Sequence, residues 1–262
     1  DTTSRAARAW VRRLARSGPY DGQAEAARAM LAAWDGNLLP ESGVALLYGA
    51  FRRAVARALF VPIVGERAWS WLTAPDVPAT HTLIARWMVN VVYALEAETT
   101  PDGRPWDEVL PDALATAWST TVAGAGPDPQ AWRWDAQHAT RARHPLAARF
   151  PAHAARLNPP RVPLGGDGDT IQAAAYLWGE GDDFAITGLS VYRQVVDLAD
   201  VAHSSFVIPG GVSGVPGSAH FDDQLEHWRT HRRIPMHVRE AEVEAATVET
   251  LSLPASASER GG

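Results

Sequence analysis

Apolar positions recur at three- and four-residue spacing through the first half of the chain, the pattern that gathers them on one face of a helix. The first predicted helix is capped by Thr2 or Thr3, carries Ala6, Trp10 and Leu14 on one face, and ends at Gly18-Pro19. Asp21 caps a second, with Ala24, Ala27 and Leu31 inward. Glu41 to Phe60 repeats the pattern with Val44, Leu47, Phe51 and Val55, Ala79 to Glu98 with Leu83, Trp87 and Val91, and Trp106 to Val122 with Val109, Ala113 and Trp118.

The character changes after the Gly/Pro-rich stretch Gly124 to Pro129. Turn residues become dense, and Thr170 to Leu177, Phe184 to Leu198 and Ser204 to Ile208 read as strands. Phe221 to His231 reads as a short helix, β-branched Val243 to Leu253 as a last strand, and polar Pro254 to Gly262 as a disordered tail. The chain therefore divides into a helical segment, 1–125, a strand-rich segment, 126–253, and a tail, 254–262. This pattern defines an α+β fold class.

Composition narrows the function. The chain has 262 residues, enough to bury a sizeable core, and its 46% hydrophobic and 21% charged content is ordinary for a globular protein. Its longest apolar runs, such as Ala58 to Val64, are far too short to span a bilayer. A net charge of −6 argues against nucleic acid or an anionic membrane as partner. All basic charge is Arg, with no long basic stripe foreseen, and the absence of Cys removes thiolate metal sites, disulfides and a Cys nucleophile from this segment. Eleven Trp residues predict a large interior lined by aromatic rings.

Single motifs favour structural roles. Gly210-Gly211-Val212-Ser213-Gly214 resembles a nucleophile elbow, but Val215 stands where the second Gly belongs, and Pro209 and Pro216 favour a loop. Ser213 is then a turn Ser bonded to nearby backbone. His138 and His144, with Asp135 nearby, lack the three- or four-residue spacing of helical metal ligands and read as backbone-bonded side chains. Gly165-Gly166-Asp167-Gly168-Asp169-Thr170 leads from loop into strand, whereas a phosphate cradle leads from strand into helix; it also lacks the length and closing Glu of a calcium loop. Arg193 and Asp197 fall on one face of a predicted strand, where a buried bidentate pair would satisfy both charges. Ser218, His220 and Asp222 alternate like a triad but sit too close in sequence for one, so they read as loop braces.

Taken in order, these motifs resemble one family. Trp132-Arg133-Trp134, His138 and His144-Pro145-Leu146 are similar to the Trp-x-Trp-Gly, His and His-Pro-Leu elements of penicillin acylases. The Gly165–Thr170 turn, the Ser190–Leu198 stretch, and Pro209-Gly210-Gly211-Val212-Ser213-Gly214 with Pro216, Ser218, His220, Phe221, Asp223-Gln224 and Trp228 continue the resemblance. Asp1-Thr2-Thr3-Ser4 and Leu31 with Trp34-Asp35-Gly36 extend it to the start, so that it covers nearly the whole chain to about Met236. Departures are local: Asp135 for Gly, Val212 for Gln, Ala219 for Pro and Phe221 for Tyr.

The resemblance implies the four-layer αββα sandwich of N-terminal nucleophile hydrolases and a precursor that cuts itself. The freed N-terminal residue, usually Ser, attacks a linear amide carrying a fairly apolar acyl group, such as a β-lactam side chain or an acyl-homoserine lactone. Its α-amino group, titrating near pH ~8, serves as base, and an Asn amide with backbone groups holds the oxyanion. None of these catalytic residues maps onto this chain. The nucleophile Ser, the oxyanion Asn and the family's structural calcium ligands are expected upstream of Asp1, with no cofactor or metal in this segment. The expected partners are the upstream α chain, the N-terminal part of the β chain and the amide substrate, in a periplasmic or extracellular setting. This segment alone is expected to be inactive. A free-standing, non-catalytic binding module is the alternative, and a serine hydrolase using Ser213 a third reading.

Overall fold

The computed structural model describes residues 1–75, 78–179 and 183–253. The expected tail, 254–262, lies outside them. The chain forms two compact units, Asp1–Ser190 and Val191–Gly262. Its helices and small antiparallel sheets make it an α+β protein.

The first unit is mainly helical: α1 (Arg5–Ala15), α2 (Gly22–Ala32), α3 (Gly43–Val64), α4 (Glu66–Leu72), α5 (Pro78–Ala94) and α6 (Trp106–Ala125), with the short α7 (Trp134–Gln137) and α8 (Ala154–Leu157) beyond. The cap of α1 is Ser4, whose Oγ accepts from the Ala7 N–H at 3.0 Å. Thr2 and Thr3 serve elsewhere: Thr2 Oγ1 donates to Asn37 Oδ1 at 2.6 Å, and Thr3 forms a β-bridge with Asn37. Asp21 stands at the N-cap of α2 without a side-chain capping bond. Ser42 caps α3 by accepting from the Ala45 N–H at 3.1 Å, so α3 starts later than the spacing suggested and runs on to Gly65, where a φ of 79° suits glycine. The helix α4 had no sequence expectation. On α1, Arg5, Arg8 and Arg12 are exposed, because three- and four-residue spacings share a face.

Helix α3 is the centre of the core. Leu46, Leu47, Phe51, Val55 and Leu59 are buried along it, and α6 answers with Trp106, Leu110, Leu114 and Ala117. Trp10 from α1 fills the junction edge-on to Phe51 (5.1 Å) and Trp106 (5.6 Å), the geometry that aromatic quadrupoles prefer. The Trp-rich interior is thus real: Trp10, Trp106, Trp132, Trp134 and Trp228 are all fully buried.

The strands are shorter than their patterns suggested. Only Ala174–Tyr176 of Thr170 to Leu177 is β1, because Thr170 is held in a turn, its Oγ1 accepting from the Asp167 N–H and donating to the Gln172 carbonyl. The expected strand Phe184 to Leu198 breaks in two. Ile186–Leu189 is β2, antiparallel to β1, and Arg193–Val195 is β3, in a separate sheet of the second unit. There β3 pairs with β4 (Ser205–Val207), and β4 with β5 (Ile234–Pro235), all antiparallel. The helix expected over Phe221 to His231 is the shorter α9 (Leu225–Arg229), which buries Trp228. The expected strand Val243 to Leu253 is not formed; Glu240–Ala246 is α10, since the helix-favouring Glu and Ala residues outweigh one Val.

Candidate functional site

Two features of the first unit meet at Trp178. One is a buried polar centre, the other a cavity. The polar centre begins with Arg52, which α3 carries beside Arg53 and which is almost fully buried. An isolated buried guanidinium would be prohibitively costly, so it needs anionic partners. The Gly165–Thr170 turn supplies two: Arg52 Nη1 donates to Asp167 Oδ2 at 2.6 Å and Nη2 to Asp169 Oδ2 at 2.5 Å. Gly166, at φ 81°, turns the chain sharply enough to aim both carboxylates, while Asp167 Oδ1 accepts from the Asp169 N–H at 2.7 Å. Arg52 also lies over the rings of Trp178 (4.9 Å) and Tyr48 (5.7 Å). Burial pushes the Asp167 carboxyl above its ordinary value against the pull of Arg52. It pushes the Tyr176 phenol up to about 12 and the Tyr48 phenol well above the usual range, so neither can act as a base near neutral pH.

The cavity, about 850 Å³, lies along α3 and α6. Arg104 Nη2 donates to the Ala58 carbonyl at 2.8 Å, tying the start of α6 to the end of α3, while Gly43 at the start of α3 lies against Pro129 and Trp132, just past the end of α6. The two helices therefore run antiparallel. Small side chains form the floor: Ala50, Ala54 and Ala58 from α3, and Ala113, Thr116, Thr120, Ala123 and Gly124 from α6. Trp69, Trp178 and Phe184 form aromatic walls, and Arg53, Arg57, Arg161, Asp112 and Asp183 supply charge. Arg53 is a wall post as well, its guanidinium 4.0 Å from the Phe184 ring centroid and donating to the Leu177 and Asp183 carbonyls. Such a lining can enclose and orient a bound group. Among the described residues that line it, no hydroxyl is hydrogen-bonded to a His or a carboxylate.

The sequence-derived candidates fall apart from one another. His138 is buried, stacked on Trp134 with ring centroids 4.2 Å apart, and its Nδ1–H donates to the Phe184 carbonyl at 2.8 Å. Burial lowers its pKa to about 4, so it is neutral at pH 7. His144 turns back on its own loop, where Nδ1 accepts from the Leu146 N–H at 3.2 Å. Asp135 pairs with Arg133 at 2.8 Å. Among the described residues no group of three His, Cys, Asp or Glu side chains is placed to hold a metal ion.

In the second unit, Ser213 Oγ accepts from the Val215 N–H at 3.1 Å, the behaviour of a turn Ser. Ser218 Oγ accepts from the His220 N–H at 3.2 Å, and His220 Nδ1 meets Asp223, not Asp222, at 2.8 Å. The expected Arg193–Asp197 pairing is corrected. Arg193 lies over the Trp228 ring at 4.3 Å and donates to the Trp228 carbonyl, while Asp197 Oδ1 accepts from the Ala199 N–H at 2.9 Å. The strand ends at Val195, so the alternation that would have aligned the two side chains stops before Asp197.

What sequence reasoning missed was Arg52. The signal was present, an Arg pair interrupting the apolar face of a long helix, but its acidic partners lie more than a hundred residues away.

These features define a helix-rich α+β domain with a polar anchor and a lined cavity, and the comparisons supply its kinship. The sequence profile of the penicillin amidase family matches residues 1–245, and the chain belongs to this family of amide hydrolases. It is 35% identical over 214 residues to the penicillin acylase 2 proenzyme of Pseudomonas sp. (strain SE83), covering 81% of this chain and 26% of that protein. It is 28% identical over 222 residues to the acyl-homoserine lactone acylase QuiP of Pseudomonas putida, covering 79% of this chain and 26% of that protein. The thermostable penicillin G acylase of Alcaligenes faecalis aligns in structure with a TM-score of 0.45 at 20% identity, over 96% of this chain and 46% of that one. The chain thus spans about a quarter of the length of the curated relatives it matches. Among the described residues no helix is long and apolar enough to cross a membrane.

Proposed function

We propose that this chain is the C-terminal segment of a penicillin-acylase-type amidohydrolase that cleaves the linear amide of an acylated small molecule, a β-lactam side chain or an acyl-homoserine lactone. The observation that carries this reading is the family match across residues 1–245, combined with coverage of only about a quarter of each relative. The nucleophile Ser and the oxyanion Asn then come from the remainder of the precursor, as do any structural calcium ligands. The segment contributes a helical layer anchored by Arg52 to the Gly165–Thr170 turn, and short strands that complete the αββα sandwich. A periplasmic or extracellular setting belongs to the same proposal.

Exposed apolar side chains support the segment reading. Val191, Tyr192, Val195, Val196 and Leu198 crowd the start of the second unit, each about half exposed or more. The edge strand β3 also keeps a row of backbone groups outside the three-stranded sheet. Such surfaces are usually covered by another chain.

The test compares the purified chain with the same chain co-expressed with the remainder of the precursor, using a penicillin and an acyl-homoserine lactone and following amine release. The chain alone gives no turnover and the assembled protein does. Turnover by the chain alone, lost on Ser213→Ala, would overturn the proposal in favour of a serine hydrolase. A chain that neither associates with the remainder nor gains activity from it would favour a free-standing binding module.

A further inference from the structure

We infer that the exposed arginine row of α1 docks an acidic segment of the precursor's remaining polypeptide. This rests on the reading of the chain as one part of an acylase, since by comparison with its relatives about three quarters of such a precursor lie outside the sequence in hand. Arg5, Arg8 and Arg12 lie on α1, and Arg16 follows at its C-cap; all four are exposed. At 3.6 residues per turn they share an arc of about 80° and form a row about 16 Å long. The opposite face is already occupied, with Ala7, Trp10 and Leu14 buried in the core. Local helix energetics disfavour the row. Helix α1 holds no acidic residue, so its like charges repel one another at three- and four-residue spacing. Arg5 opens the helix, where the positive end of the macrodipole disfavours a cation. Among the described residues Arg5, Arg8 and Arg12 take part in no ion pair. Opposing carboxylates would offset both penalties.

The surroundings narrow the occupant to a single segment. Exposed acids stand beside the row: Asp35, whose carbonyl accepts from Arg8 Nε at 3.0 Å, and Glu96, which pairs with Arg16 at 2.7 Å. A broad anionic surface, such as a nucleic acid duplex or a lipid bilayer, would meet these carboxylates along with the arginines, on a chain whose net charge is −6. A narrow acidic segment meets the arginines alone. The segment that fits carries Asp or Glu at intervals of about 4.5–6 Å along its axis, which three- and four-residue spacing on a helix supplies. Each guanidinium can then take a carboxylate in a bidentate pair, and the row fixes the line along which the segment lies.

The composition of the chain provides a direct test. It contains no Lys, so Arg8→Lys keeps the charge and installs its one side-chain amine. A carbodiimide joins an amine to a carboxylate held in ion-pair contact. In the complete precursor it is expected to link position 8 to an Asp or Glu outside the 262 residues, identified by mass spectrometry. With the two parts expressed separately, Arg5→Glu combined with Arg8→Glu is expected to weaken their association at least about tenfold at low salt, and the ratio is expected to shrink at about 0.5 M salt. The melting temperature of the chain is expected to hold or rise, since acidic residues suit the first turn of a helix. If the remainder restores turnover but position 8 links only to its own chain or to nothing, or the double variant associates as the parent does, the inference fails while the acylase reading stands. A link only to a second copy also overturns it, as does binding to anionic vesicles or to an oligonucleotide that the double variant loses. If the remainder neither associates nor restores turnover, both fail.

Discussion

Arg52 and Asp167, separated by 115 positions in sequence, meet through a 2.6 Å hydrogen bond between side chains 4% and 0% exposed. One belongs to the central helix, the other to a glycine-rich turn, so the bond joins the helical core to the segment leading into β1. Its value lies in what its loss would leave behind. A buried pair can be neutral overall, yet removing one partner strands the other charge. Asp167→Ala is expected to cost about 3–5 kcal/mol. That corresponds to a fall of roughly 10 °C in melting temperature for a chain of this size, measured by calorimetry on the purified chain. A fall of under about 2 °C would mean that Asp169 alone satisfies Arg52.

His138 sets a pH dependence. Its folded pKa, about 4, lies below the ordinary value of 6.5, because burial disfavours the imidazolium. Between these values the unfolded chain binds more protons than the folded one, so stability rises with pH across the window. The contribution is fully present above about pH 6.5 and is lost as pH falls toward about 4, for a total of about 3 kcal/mol. His138→Phe should flatten this slope. Urea denaturation at pH 7 and 4.5, for both proteins, gives the comparison, and parallel slopes would rule His138 out as the source.

Gly49 marks the tightest packing on α3. A Cβ there would sit 2.9 Å from Trp134 and 3.1 Å from Phe184, both rings held in place by their neighbours. Gly49→Ala gains helix propensity of about 1 kcal/mol but forces the aromatic cluster apart, an overpacking cost of about 1–3 kcal/mol. The expected net effect is destabilisation, read as a lower urea midpoint with unchanged slope. A raised midpoint would show that the rings can yield.

Asp197 is a turn residue in the structure, accepting from the backbone of Ala199 and Asp200. Asp197→Ala should therefore cost only about 1 kcal/mol, the scale of a lost capping bond. Arg193→Met should cost more, since Arg193 covers Trp228 and donates to its carbonyl. A thermal melt of each variant decides the order, and a larger loss for Asp197→Ala would restore the buried-pair expectation.

Apolar periodicity along the chain marked the long helices α3 and α6, because it gathers on one face the side chains each buries in the shared core. It determined the turn role of Ser213, because flanking prolines restrict the backbone wherever they stand. It carried the family kinship, because the motif blocks keep their order along the chain. Tertiary structure decided what local pattern leaves open. The alternation from Phe184 to Leu198 is blind to the break at Ser190, since pairing with β1 or with β4 depends on which strands are brought alongside. Val243 to Leu253 has strand-like residues but no strand partner, and the Glu/Ala run before Thr247 folded as a helix instead. The Arg52 anchor and the α3–α6 cavity were out of reach of any local reading. Each exists only where segments separated by tens to more than a hundred residues converge, and burial there changes the cost of a charge far more than its sequence neighbours can.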